Sequence, residues 1–266
     1  GVQQSGCPMS TDSLPLEADE ALLVIGSENW NPDDRSLGRA RIRSVSVRFH
    51  DGGGQVHALD GLGVHGLRDL APIDAHSVVL TTGHDLLRLD LETGRTTAWD
   101  PERSSDLHEL DVEGERVLVA NTAFDEGLVV DLEGTVERRV DVARFRHAAA
   151  QPIAHDRPLG GVLPGPKPIR DDHFHLNQLT IGHGGELLAV VHHASGYRPV
   201  AHLRHRLTGH GDGGVVDLDH DAVHRLGLRA PHSLRRTVDG YAVLDSGRAE
   251  VVTYDAGWRE LRRWPT

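Results

Sequence analysis

The chain of 266 residues carries a net charge of -12 and has no basic run, which argues against nucleic acid and anionic membranes as partners because both are polyanions. No apolar stretch approaches the roughly 20 residues of a membrane span. Cys7 is the only cysteine, so an internal disulfide and a thiolate-bound metal cluster are excluded, and any transition-metal site would use histidine and carboxylate ligands.

The N-terminal segment, residues 1–16, is polar and lacks the charged start and apolar block of a secretory signal. Met9 is the only methionine, so we expect it to be the native start and residues 1–8 to be a non-native leader. A processed N-terminus is the alternative. Either origin predicts a cytoplasmic location, with residues 1–10 as a tail.

Short β-rich runs separated by Gly, Asp and Asn turns dominate the rest of the chain, and helical periodicity is nearly absent. This pattern is typical of an all-β fold. The first such runs are 21–25, 44–49 and 55–59. Their length and apolar character predict strands of one sheet.

From residue 61 onward the sequence repeats four times. Each copy begins with a histidine in a strand-like run, continues through two β-rich runs and closes on an aspartate that precedes a polar turn and an outer strand. The histidines are His65, His108, His175 and His232, and they precede the closing aspartates by 25, 23, 42 and 23 residues. The longer third copy carries an insertion, 192–213, of the kind that falls in a surface loop.

Four strands per repeat are typical of a β-propeller blade, and blades stack around an axis because one blade cannot bury its faces alone. With the strands of 11–60 as a further blade, we predict a single five-bladed β-propeller domain over residues 11–266. Six blades are the alternative, if strands lie within 143–172. That segment is rich in proline and is otherwise expected to be a loop over one end of the axis or a disordered connector.

The first strand of each blade lines the central channel, so one histidine from each repeat, at the same place on that strand, would form a ring. Histidine makes up only 19 of the 266 residues, which makes a fourfold coincidence improbable. Neutral imidazole is the commonest protein ligand of transition metals. The pattern predicts a metal site on the propeller axis, with structural histidines as the competing interpretation.

A ring of His65, His108, His175 and His232 resembles the iron site of the carotenoid cleavage oxygenases, in which four histidines from inner propeller strands hold Fe(II). The resemblance implies an iron ion that activates O2 and a small-molecule substrate in the channel. It is limited to the arrangement of the site, because those enzymes have seven blades and a much longer chain, so their substrate class does not transfer. Zinc lyases that use three propeller histidines on peptidyl-hydroxyglycine offer a second analogy.

The predicted cofactor is Fe(II), with zinc, copper or manganese as alternatives. Four histidines leave two positions of a six-coordinate iron open, whereas zinc with four histidines would be a closed site. Ligating histidines usually donate their second N–H to a nearby acceptor, and the candidates for this role are Asp69, Glu109, Asp111, Asp172, Asn177 and Gln178. The candidate catalytic residues are His173, two positions before His175 on a predicted strand, and Asn177.

Three functions remain open at this point. The first is an iron-dependent oxidoreductase or oxygenase acting on a small molecule, and the second is a zinc-dependent lyase or hydrolase with the same ligands. The third is a non-catalytic propeller that binds a ligand or a protein, which the few aromatic residues (4 Trp, 3 Tyr and 4 Phe) disfavour.

The insertion and its flanks add further histidines. They allow a second metal site, although compositional bias on a solvated loop is the simpler explanation. They are His192, His193, His202, His205, His210, His220 and His224.

Overall fold

The computed structural model describes residues 21–27, 42–49, 54–58, 68–81, 85–146 and 172–266. The chain divides into two compact units, residues 1–66 and 67–266. The smaller unit contains an antiparallel sheet in which β2 lies between β1 and β3. These strands are β1 (Ala21–Ser27), β2 (Ile42–Phe49) and β3 (Gly54–Ala58).

The larger unit contains four antiparallel sheets, each a four-stranded meander in which consecutive strands pair. We call them blades 1 to 4 in chain order. Blade 1 comprises β4 (Asp69–Pro72), β5 (Ser77–Thr81), β6 (Leu86–Asp90) and β7 (Thr96–Trp99). Blade 2 comprises β8 (Leu107–Glu113), β9 (Arg116–Asn121), β10 (Glu126–Asp131) and β11 (Val136–Asp141). Blade 3 comprises β12 (Leu176–Ile181), β13 (Leu187–Val191), β14 (Gly213–Asp217) and β15 (Ala222–Leu228). Blade 4 comprises β16 (Pro231–Thr237), β17 (Gly240–Asp245), β18 (Glu250–Asp255) and β19 (Glu260–Pro265).

The central strands are buried on both faces. In β9, Val117 and Val119 belong to an apolar cluster shared with blade 1, whereas Leu118 and Ala120 belong to one shared with blade 3. Successive side chains of a strand point to opposite faces, so a continuous apolar run is what a doubly covered strand requires. A third cluster joins blades 3 and 4. Such face-to-face stacking of meanders is the β-propeller architecture.

The all-β and β-propeller predictions are therefore confirmed, but the predictions of five or six blades are wrong. The described residues form four blades. Within the described residues, the strands expected to form a fifth blade make a three-stranded sheet in the smaller unit. Within 143–172, the described part contains a short 3-10 helix, Ala143–Phe145, where a sixth blade would need strands. A single domain over 11–266 stays a prediction.

The repeated aspartates close the third strand of every blade. Each carboxylate accepts hydrogen bonds from two main-chain N–H groups of the following turn, at 2.7–3.1 Å. Aspartate stabilises turns in this way because its short side chain reaches the amides just ahead of it. The four residues are Asp90, Asp131, Asp217 and Asp255, so the closing element of the sequence repeat is the chemistry of one hairpin turn.

The 192–213 insertion was predicted to be a loop, and the structure corrects this. It contains helix α1 (Arg198–Thr208), which has a proline in its first turn and ends at Gly209 with φ 70°. Proline at the start and glycine just past the end are helix-boundary signals. Within the described ranges, no helix has the length and apolar character needed to cross a bilayer.

Candidate functional site

Four histidines from blades 2, 3 and 4 lie together beside the inner strands. The ring centroids of His108 and His175 are 5.2 Å apart, those of His175 and His192 are 4.5 Å apart, and those of His192 and His232 are 5.3 Å apart. We call these four residues the histidine cluster. The structure thus brings together three of the predicted ligands and adds His192, while His65 lies outside the described residues.

Of the three predicted histidines that the structure describes, only two occupy equivalent positions, contrary to expectation. The inner strands of blades 2, 3 and 4 meet the ends of their second strands through the pairs Leu107–Asn121, Leu176–Val191 and Pro231–Asp245. The residues that follow on the inner strands are His108, Asn177 and His232. In blade 3, therefore, Asn177 rather than His175 takes the place of the other two histidines.

His175 lies just before its strand, in left-handed backbone. Its φ is 53°, and Asp106 and Ala230, which precede the strands of blades 2 and 4 at the same place, have φ 54°. Because β12 begins only at Leu176, His173 and His175 do not share a strand face as predicted. All three inner strands shift register near their N-terminal ends. Such bulges commonly redirect side chains next to functional sites.

Hydrogen bonds hold His108 in one tautomer. Its Nδ1 lies 2.9 Å from the carbonyl oxygen of Asp106 and 2.9 Å from Oγ1 of Thr122. A carbonyl only accepts, so Nδ1 carries the proton and Nε2 the lone pair; the Thr122 hydroxyl in turn donates to the Leu176 carbonyl. Nε2 accepts a hydrogen bond from Nη1 of Arg68 at 3.2 Å. Burial and the Arg68 guanidinium lower the pKa of His108 to about 4.

His232 is held by a carboxylate that reaches across from blade 2 to blade 4. Glu109 Oε1 accepts from Nδ1 of His232 at 2.7 Å, and Oε2 accepts from the main-chain N–H of Ser233 at 2.8 Å. Since the carboxylate accepts, Nδ1 is the protonated nitrogen of His232. Its Nε2 lies 3.4 Å from Nδ2 of Asn177.

His175 has the same kind of partner. Its Nδ1 lies 3.2 Å from Oδ2 of the buried Asp172. Three histidines of the cluster therefore have an oxygen acceptor at Nδ1, which leaves the lone pair on Nε2. Metal-binding histidines almost always have this arrangement, because the acceptor fixes both the tautomer and the ring orientation.

His192 follows β13 directly, and its main-chain N–H donates to the His175 carbonyl at 3.2 Å. Its Nε2 is buried and has no hydrogen-bond partner in the part of the chain that the structure describes. Burial and the neighbouring imidazoles of His175 and His232 lower its pKa to about 2. Oδ1 of Asn177 is a second buried atom without such a partner. Buried polar atoms are rarely left unpaired, so both atoms are candidates for contact with a ligand.

The six residues predicted to orient the histidines divide into two groups. Glu109, Asp172 and Asn177 contact the cluster. The other three connect neighbouring blades instead. Asp69 accepts from the Leu110 amide at 2.8 Å, Gln178 accepts from the Leu234 amide at 2.7 Å, and Asp111 accepts from the Thr180 hydroxyl.

The remaining histidines lie in other surroundings. The main-chain N–H of His173 donates to Oδ2 of Asp125 at 2.5 Å, and a catalytic role for its ring stays a prediction. His220 lies 2.8 Å from the Asp217 carboxylate, and His224 stacks on an indole. Among the described histidines of the insertion and its flanks, His192 is the one that belongs to the histidine cluster.

The spacing of the rings in the cluster favours a metal site, whereas their orientation does not. Imidazoles bound to one ion at about 2.0–2.1 Å have ring centroids about 5 Å apart, which agrees with the observed spacing of 4.5–5.3 Å. As they stand, however, no three His, Cys, Asp or Glu side chains within the described ranges are gathered so that they could hold a metal ion. Nε2 of His108 faces Arg68, and Nε2 of His232 faces Asn177. The imidazole donors suit a transition metal and neighbouring rings have a suitable spacing, but the four rings as placed do not converge on one ion and would have to turn to bind.

Sequence reasoning missed two residues of this site. His192 could have been found from the repeat, because it directly follows the second β-rich run of its copy. The residue at the same place in blade 2 is Thr122, and the structure shows that this residue contacts His108. Arg68 had none, since its contact with His108 depends on how blade 1 packs against blade 2.

No protein-family model matches the chain, and no curated protein matches its sequence. Among solved structures, it is similar to a protein of unknown function from Bacteroides caccae, with a TM-score of 0.56 and 11% identity, covering 92% of this chain and 72% of that one. It is also similar to a protein from Bacteroides fragilis described as a "putative 6-phosphogluconolactonase", with a TM-score of 0.50 and 14% identity, covering 94% and 69%. A chain of a mitotic checkpoint complex gives a TM-score of 0.52 and 8% identity, covering 86% and 60%.

At these identities the likeness shows the fold alone. Fold and site together define a β-propeller protein with a histidine cluster at its inner strands. The neighbours named above do not include a carotenoid cleavage oxygenase, so the resemblance stays at the level of site arrangement, and iron, O2 and the substrate stay predictions.

Proposed function

We propose that this protein is a mononuclear metalloenzyme that holds a transition metal through the histidine cluster and acts on a small molecule. The observation that carries the proposal is the set of hydrogen bonds to Nδ1 of His108, His175 and His232. Structural histidines need one partner each, in any tautomer. Here three histidines, from blade 2, from the residues just before blade 3 and from blade 4, each have an oxygen acceptor at the same nitrogen, which leaves the same atom, Nε2, with a lone pair.

Two rings of the cluster have the charge state that a metal requires. The lowered pKa values of His108 and His192 keep both rings neutral at pH 7, and only neutral imidazole binds a metal. His192 supports the proposal independently, because its buried Nε2 has no partner within the described ranges. We propose His108, His175, His192 and His232 as ligands; His65, predicted from the sequence, lies outside the described residues.

Fe(II) is the metal we favour, with O2 as co-substrate, and zinc, copper and manganese are the alternatives. Bound iron would supply redox chemistry, whereas zinc would act as a Lewis acid for a lyase or hydrolase reaction. Asn177 is proposed to position the substrate, since its buried Oδ1 can accept a hydrogen bond. Glu109 and Asp172 are proposed to orient their histidines.

Metal analysis of the purified chain, before and after reconstitution under anaerobic conditions, tests the proposal. We expect one metal ion per chain, reduced at least tenfold in affinity (an order-of-magnitude expectation) by His108→Ala, His192→Ala or His232→Ala. His220→Ala is the matched control, because His220 also contacts a carboxylate, Asp217, but lies outside the cluster. Iron in the native protein would favour the oxygenase, and zinc the lyase or hydrolase.

Absence of stoichiometric metal under both conditions, or unchanged affinity in all three cluster variants, would overturn the proposal and leave the non-catalytic binding propeller. The lactonase description of the Bacteroides fragilis neighbour concerns that protein. Its likeness to this chain, at 14% identity, does not favour lactone hydrolysis over the reactions proposed above.

A further inference from the structure

Arg68 lies at the histidine cluster and is not absorbed by the proposed function. It comes immediately before β4 of blade 1, and its Nη2 donates to Oδ1 of Asp106 at 2.8 Å. Its Nη1 donates to Nε2 of His108 at 3.2 Å. The Arg68 side chain is 42% exposed, whereas that of Asp106 is 6% exposed. The side chain is therefore paired with a buried carboxylate while part of its surface is open to solvent.

This contact competes with a metal. Because two acceptors fix the proton of His108 on Nδ1, Nε2 holds the only lone pair of the ring. That lone pair can accept from Arg68 or bind a metal ion, but not both. A guanidinium close to a divalent cation is also repelled by it. In the arrangement seen here, Arg68 opposes metal binding by His108.

We propose that the site takes a carboxylate ligand, which binds Arg68 and thereby releases Nε2 of His108 to the metal. A carboxylate matches the planar fork of a guanidinium and accepts two of its N–H groups at once. Such a ligand offsets the cationic charge and replaces the hydrogen bond to His108, so carboxylate and metal bind with positive coupling. The coupling is reciprocal, since each ligand must raise the affinity for the other by the same factor.

This inference rests on the proposed function and names the substrate class of the same site, a small carboxylic acid. The test is a calorimetric and spectroscopic titration of the metal-free chain with cobalt(II), with and without saturating acetate. We expect acetate to tighten cobalt(II) binding about fivefold or more in the wild type. Arg68→Ala should bind cobalt(II) more tightly than wild type without acetate, and acetate should then have no effect.

Two variants serve as controls. Arg68→Lys keeps a cation beside Asp106 without the planar fork, so it should fold and lose most of the coupling. Arg88→Ala removes another arginine of blade 1, 40% exposed and paired with Asp74 at 3.4 Å, and should retain the full acetate effect.

The outcomes separate the two proposals. If neither wild type nor Arg68→Ala binds cobalt(II), the proposed metal site is wrong. If cobalt(II) binds but acetate has no effect, or its effect persists in Arg68→Ala and Arg68→Lys, the carboxylate inference is wrong while the metal site stands. If inorganic phosphate produces the coupling and acetate does not, the assignment to carboxylates is overturned.

Discussion

The Glu109 carboxylate makes the sharpest prediction about stability, because one side chain joins two blades that do not follow each other in the chain. It accepts from His232 Nδ1 at 2.7 Å and from the Ser233 amide at 2.8 Å, and it is 15% exposed. Glu109→Ala removes both bonds. Hydrogen bonds to charged groups contribute about 1.5–3 kcal/mol each, so we expect the free energy of unfolding to fall by roughly 3–6 kcal/mol.

A matched control lies on the same two strands. Glu113 of β8 pairs with Arg236 of β16 at 2.8 Å, and these side chains are 42% and 44% exposed. Exposed ion pairs contribute at most about 1 kcal/mol because water and salt screen them. Glu113→Ala should therefore cost less than about 1 kcal/mol, although it joins the same blades.

Urea unfolding at pH 7.5 with a chelator measures both variants in the absence of metal. A double-mutant cycle of Glu109→Ala with His232→Ala should give a coupling energy of about 1–3 kcal/mol. Equal destabilisation by Glu109→Ala and Glu113→Ala, or a coupling near zero, would show that the link between Glu109 and His232 does not stabilise the fold as argued.

Three further predictions concern the same unit. Thr122→Val keeps the side-chain shape but removes the hydroxyl at His108 Nδ1, so it should cost about 1–3 kcal/mol in urea unfolding, and a wild-type midpoint would contradict the assigned role. The folded pKa values of His108 and His192, about 4 and about 2, lie below the ordinary value, so the unfolded chain takes up protons first. The stability these neutral rings contribute is complete above about pH 6.5 and is lost as the pH falls through that value toward 4 and below. Urea unfolding at a series of pH values should show the free energy of unfolding falling over this range, with a smaller slope in His192→Ala. The same slope in His192→Ala and wild type would contradict the prediction. Gly134 has φ 92°, and a Cβ there would lie 2.4 Å from the Trp99 ring, so Gly134→Ala should lower the melting temperature through a loss of about 1–3 kcal/mol, whereas an unchanged melting temperature would show that the ring moves aside freely.

The sequence determined the elements from which this fold is built. Continuous apolar runs such as 117–120 specify strands buried on both faces, and Asp131 specifies its turn through its own amide contacts. These signals are local, because side-chain alternation and turn hydrogen bonds involve residues only a few positions apart. They were sufficient to predict the all-β class, the blade repeat and the closing turns.

Local signals did not determine the number of blades. The runs within 21–58 look like those of a blade, but in the structure they form a three-stranded sheet in a separate unit. How many strands pair into one sheet, and how many sheets follow one another, depends on contacts between distant segments, which the local pattern of a single strand does not record.

The histidine cluster shows most clearly what only the tertiary structure decided. Sequence spacing placed His108, His175 and His232 in one repeat position, but strand pairing gives that place in blade 3 to Asn177. His175 contributes from left-handed backbone just before its strand. A shift of register at a bulge changes which residues are equivalent, and composition does not record it.

The partners of the cluster depend on packing still more. His192 joins because the end of β13 lies beside the inner strand, Glu109 reaches His232 across two blades, and Arg68 reaches His108 from blade 1. Glu109 and His232 are 123 residues apart in the chain. Contacts at such separation follow from how the blades are arranged around one another, so the sequence supplied the imidazoles, and the tertiary structure decided which atoms of them are left for a ligand.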